Sequence, residues 1–236
     1  LTPAEVKELV PFINEEIILG GFYCPTVSVV DSLDTGTIFR NEAIEKSDLK
    51  VFANTEVMSL ETVDEPATGR KRITAVVTDK GRIEAEYVVI ACGCWSNRIA
   101  NMAGATIPLV PAVHQMADVG PIDVLVETNS EIDYPIVRDM DTFCYERQSS
   151  GSMEVGSYAH RPILHHPDSI PSNEEAALSP TEMPFTQDDF DPQMEQAIEL
   201  MDMLGDAEIK YAINGLLSLT PDGMPCLGEL PDVENR

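Results

Sequence analysis

The spacing of hydrophobic and polar positions changes several times along the chain, and each change marks an element. "PAEVKELVPFI" at 3–13 carries apolar residues at helical spacing behind a first-turn proline and predicts a short helix. "IILGGFYCP" at 17–25 predicts a strand kinked by its paired glycines. Residues 31–46 predict a helix despite Gly36, which costs about 1 kcal/mol against alanine. Three β-rich runs follow at 50–63, 72–81 and 81–93, joined by turn residues at 66–69 and 79–81. In the third run alternation gives way to continuous apolar residues at Tyr87, the pattern of a strand buried on both faces; it then meets a glycine turn and a short helix from about 95 to 102. Beyond 107 the β-like runs are short and separated by polar connections: 107–119, 133–139, 142–148, 152–160 and 208–219. That pattern predicts an antiparallel sheet. A single helix interrupts it at 186–204, acidic in its first turns as the helix dipole favours and stopped by Gly205.

Composition narrows the function classes. The 236 residues are 43% apolar, enough for a real core. Fifteen Lys and Arg stand against 41 Asp and Glu, a net charge of −26 that repels phosphate backbones and argues against nucleic acid. The acids are scattered rather than gathered in a tail, so the charge names no partner of its own. Five dispersed cysteines form no paired metal spacing, and "HHP" at 165–167 lacks a third ligand, so no metal is expected. Three cysteines lie in apolar or β-like runs, the pattern of reduced, buried thiols in a cytoplasmic protein; no run approaches the roughly 20 apolar residues of a membrane span.

A strand running into a glycine turn at 84–100 is how a nucleotide-binding sheet meets its ligand, yet none of the fourteen glycines builds a G-x-G-x-x-G loop. The segments "ILGGFYCP", "TEVMSLE", "GRIEAEYVVIACGCWS", "IPLVPAVHQM", "YERQ", "VGSYAHRP" and "GLLSLTPDGMPCLGE" come in an order that resembles the FAD-dependent dimethylglycine and sarcosine dehydrogenase group of the D-amino-acid-oxidase-like flavoenzymes. The resemblance implies an α/β (α+β) fold. Part of an FAD-binding domain would occupy 1–106, with 215–236 returning to it, and an antiparallel substrate-binding sheet 107–214. It also implies that the dinucleotide loop lies upstream of Leu1, so that the chain alone binds FAD weakly or not at all and is inactive, while the intact parent is an amine dehydrogenase or oxidase. Tetrahydrofolate would belong to a separate downstream domain.

In the family a hydride leaves an N-methyl carbon for the flavin, and the protein positions the amine and keeps it unprotonated. A histidine titrating near neutrality and a tyrosine hydroxyl suit that task. His114 and Tyr145 match the family's active-site pair and are expected to face one pocket from neighbouring strands; without the resemblance each reads first as a structural residue. Tyr158, His160 and Arg161 offer hydroxyl, imidazole and guanidinium to a small N-methylated amino acid, with Arg161 as the carboxylate partner; a hydrogen-bond network at a strand end fits them equally well. The resemblance sets Val57, Ala91, Gly93, Trp95 and Gly223 against the cofactor. Two readings compete with this one: a scaffold that kept the fold without the cofactor, and an oxidase for glycine or proline. Association into a homo-oligomer stays open.

Overall fold

The computed structural model describes residues 1–177, 179–230 and 233–234. The chain opens with helix α1 (Pro3–Leu9), whose start is a capping box: Thr2 accepts from the Glu5 amide while the Glu5 carboxylate takes the Thr2 amide at 2.7 Å. Helix α2 (Ser32–Lys46) follows, capped by Asp31. Strands β1 (Val57–Glu65), β2 (Arg70–Thr78) and β3 (Gly81–Glu84) then form an antiparallel meander. Its tight connections are the two turns that the sequence predicts. A single 3-10 turn at Gly93–Trp95 leads into α3 (Ser96–Met102).

Strand β4 (Val110–Val119) begins the larger sheet. After the short α4 (Asp123–Val126) come β5 (Val137–Arg138), β6 (Cys144–Ser149), β7 (Ser152–Ser157), β8 (Glu182–Met183), helix α5 (Gln187–Leu200) and β9 (Ile209–Leu219). The six strands are antiparallel throughout, in the order β5-β6-β7-β4-β9-β8. The last strand, β10 (Val233–Glu234), returns to the first sheet and pairs with β2 in parallel.

Strand alternation gives the larger sheet two unlike faces. One face buries Ala117, Val119, Met153 and Val155 against Phe190, Ala197 and Leu200 of α5 and against Val10 and Ile13 just beyond α1. Polar groups stitch that packing together: the Gln115 amide oxygen accepts from both the Thr186 amide and its hydroxyl at 3.0 Å, fixing the entry of α5 over β4. A second core forms between Leu60, Ile73, Ala103, Ala105 and Val233, a third around Cys94, Val113, Ile170 and Leu216. The other face of the large sheet, around β4, β6 and β7, is left open.

Two predicted strands do not form. Residues 17–25 have no regular structure, Phe22 is 97% exposed, and their backbone is held by Leu1, whose terminal amine donates to the Gly21 carbonyl at 2.6 Å. The expected buried strand at 87–92 is irregular as well, with Val89 85% exposed. The reason is the same in both places: a strand exists by virtue of a neighbouring ladder, and among the described residues neither run has one. The cysteines also divide differently from expectation, with Cys94 and Cys144 buried and Cys24, Cys92 and Cys226 exposed.

Candidate functional site

The open face of the six-stranded sheet brings together residues far apart in sequence. His114 projects from β4 and Tyr145 from β6, on the same side, with their hydrogen-bonding atoms Nε2 and Oη 3.0 Å apart. They come from strands separated by β7 and not from neighbouring ones. Tyr158, just past the end of β7, lays its ring parallel on the His114 imidazole, with centroids 4.2 Å apart and planes within 14°. The three rings form one half-buried aromatic patch.

Burial governs the protons of this patch. It pushes the His114 imidazole down to about 4; the nearby Ser157 backbone carbonyl opposes the shift and the charge of His160 adds to it. Burial likewise pushes the Tyr145 phenol up to about 12, with Tyr158 and Glu154 adding to the shift. At neutral pH the pair is therefore an uncharged imidazole beside an intact phenol. The pair shares one hydrogen bond, while Nδ1 of His114 is buried without a partner.

Arg138 completes the patch. Register places it opposite Tyr145, and its guanidinium carbon sits 6.0 Å from the Tyr158 ring centroid. Among the described residues it has no ion-pair partner. Its sequence context, "PIVRD", carries no signal; only the β5–β6 register brings it here. Arg161, by contrast, is occupied: Nε and a terminal nitrogen grip the two Asp189 carboxylate oxygens at 2.8 and 3.0 Å, tying the chain after β7 to the first turn of α5. His160 turns its Nδ1 to the Arg161 carbonyl at 2.8 Å. Of the two histidines of "HHP", His166 is exposed and His165 half-buried.

The positions expected against a cofactor are not gathered. Val57 packs on the core of the small sheet and Trp95 on the third core, while Ala91, Gly93 and Gly223 are exposed. Ser218, which touches Cys94 beside Gly93, alternates along β9 with the residues on the face of His114, so Gly93 meets β9 from the other side. Gly93 and Gly223 do adopt positive φ, 52° and 69°, a conformation natural to glycine. A Cβ built at Gly93 would lie 3.8 Å from the Ser218 hydroxyl, and one at Gly223 would meet nothing within 4 Å. Neither glycine is crowded by its neighbours, so both leave their backbone open to close approach.

Comparison with known proteins supplies the family. Over residues 1–236 the chain matches the family model described as FAD dependent oxidoreductase. It is 30% identical over 233 residues to mitochondrial sarcosine dehydrogenase of Mus musculus, covering 99% of this chain and 24% of that protein. It is 26% identical over 236 residues to the mitochondrial pyruvate dehydrogenase phosphatase regulatory subunit of Mus musculus, covering 99% and 25%. Among solved structures, L-proline dehydrogenase from P. horikoshii superposes with a TM-score of 0.74 at 25% identity, covering 99% of this chain and 56% of that one. The chain thus spans about a quarter of the length of these curated relatives. With its whole length matched by that family model, the chain belongs to the FAD-dependent oxidoreductase family.

Proposed function

We propose that the chain supplies the substrate-binding face of an FAD-dependent enzyme that oxidises the C–N bond of a small N-methylated amino acid such as sarcosine or dimethylglycine. The observation that carries this reading is the neutral His114 held 3.0 Å from the Tyr145 hydroxyl on an open, half-buried face. An N-methyl amine must lose its ammonium proton before its lone pair can assist hydride departure, and an uncharged imidazole paired with a phenol can accept that proton. Tyr158 gives the cationic amine an aromatic face to approach. Arg138, free of a carboxylate and beside Tyr158, is placed to take the amino acid's carboxylate, a role better suited to it than to the paired Arg161. FAD, when bound, supplies the hydride acceptor; the acidic surface suits neither nucleic acid nor anionic membrane.

A second reading is favoured by one finding: the likeness to a regulatory subunit suits a binding module that kept the fold without the chemistry. Anaerobic mixing of the FAD-loaded protein that carries this chain with sarcosine, dimethylglycine, glycine and proline separates the two. Bleaching of the flavin by an N-methylated substrate, with formaldehyde released, is the expected result. A flavin left oxidised by all four would favour the binding module, and bleaching by proline or glycine alone would reassign the substrate.

A further inference from the structure

Tyr145 and His114 should not be able to touch. They stand on β6 and β4 with β7 between them, a separation of two strand spacings, roughly 9.6 Å. On the intervening strand the residue facing the same side, paired with Tyr145 on one flank and with Met116 on the other, is Gly156. A Cβ built there would fall 2.2 Å from Cζ, 2.3 Å from Oη and 2.5 Å from Cε1 of Tyr145. The far end of the phenol thus lies directly on the bare backbone of β7. Gly156 is not among the residues with positive φ, so its backbone would suit any amino acid; what a side chain would meet there is the far end of the Tyr145 ring, which would have to move aside. On the opposite flank of β4, Gly215 pairs with His114, and a Cβ there would meet nothing within 4 Å.

We propose that Gly156 is a positioning residue: its missing side chain opens a trough across β7 through which Tyr145 reaches His114, and the trough fixes the hydrogen bond between them and shields the imidazole from water. Gly215, on the same face, has no such part. The consequence for amine oxidation rests on the function proposed above; the coupling of Gly156 to the histidine does not, and it is read without any flavin or substrate.

The test is the titration of the His114 imidazole by NMR in this chain, in Gly156→Ala, Tyr145→Phe, Gly215→Ala and the Gly156→Ala/Tyr145→Phe double variant. A phenol that donates to Nε2 favours the neutral imidazole, so its loss and the entry of water both raise the histidine's proton affinity. Gly156→Ala should therefore shift its midpoint upward by about half a pKa unit or more, from the ordinary net worth of one hydrogen bond. Tyr145→Phe should move it the same way, the double variant no further than the larger single shift, and Gly215→Ala not at all. A folded Gly156→Ala chain whose His114 titrates as in the parent, or a double variant whose shifts add in full, overturns the proposal. Should Gly156→Ala not fold, Tyr145→Ala/Gly156→Ala decides instead, because deleting the ring removes the clash. A double variant as stable as Tyr145→Ala alone supports the trough, and one that also fails to fold contradicts it.

Discussion

His114 and Glu146 belong to opposite faces of one sheet, and burial drives them in opposite senses. His114 has its ordinary affinity of 6.5 lowered to about 4 by burial, so on acidification through that window the unfolded chain takes up a proton that the folded chain refuses. Its contribution to stability is complete above 6.5 and declines as the pH falls towards 4. Glu146 is 1% exposed, with neither carboxylate oxygen hydrogen-bonded, and burial, aided by Asp139, pushes it from 4.5 up to about 8. Between those values the folded chain keeps a proton that the unfolded chain has released, so this group costs stability as the pH rises, in full above about 8. Glu146→Gln removes that cost. Urea unfolding should show a gain at about pH 9 that exceeds the gain at about pH 5 by about 2 kcal/mol or more, inside the ~5 kcal/mol that such a shift allows. An equal gain at both pH values would mean that the carboxyl is not held protonated. Resemblance singled out His114 and Tyr145 in the sequence, whereas Glu146 was hidden: the consecutive Glu146 and Arg147 of "TFCYERQ" must take opposite faces of a strand, and only the register with β7 and β5 tells which of them turns inward.

Among the elements, α5 and α2 make an instructive pair. Helix α5 buries Phe190, Ala197 and Leu200 on the sheet, with Phe190 set edge-on against Phe185 at 5.1 Å. Helix α2 buries none of its residues. Phe190→Ala should therefore cost about 3–5 kcal/mol in chemical unfolding, while Phe39→Ala on α2, 70% exposed, should stay within about 0.5 kcal/mol. Comparable losses at both sites would show α2 packed against something. Elements specified locally were legible: the first-turn proline of α1, the turn residues at 66–69 and 79–81 and the acidic first turn of α5 carry their instructions within a few residues. The runs at 17–25 and 87–92 were misread because an apolar run says only that a strand is affordable; whether it forms depends on a partner ladder supplied from elsewhere.

Across the whole molecule, order is concentrated in the six-stranded sheet and its helices. Most apolar residues of 17–30, 51–52 and 87–89, among them Leu19, Phe22, Phe52 and Val89, lie exposed around the first part of the chain. Limited proteolysis of the chain should thus cut within 17–31, 47–56 or 85–92 before any bond in β4, β6, β7 or β9; early cleavage inside those strands would contradict the architecture. The site shows the same division between local and global information. His114, Tyr145 and Tyr158 could be picked out by residue type and resemblance, but Arg138 and Gly156 acquire meaning only once β5, β6 and β7 are laid side by side. Arg161 reads in the sequence equally as a carboxylate partner and as part of a strand-end network, and the fold joins it to Asp189. The claim on which all of this converges is that the His114 face handles the substrate's amine. Its most direct test is flavin reduction by sarcosine or dimethylglycine, followed across pH, in the FAD-loaded protein bearing His114→Ala, with His165→Ala as the comparison. The account predicts that His114→Ala slows reduction by about 10²–10⁴-fold and changes its pH profile while His165→Ala leaves both as they were; reduction at the parent rate across pH in His114→Ala would contradict it.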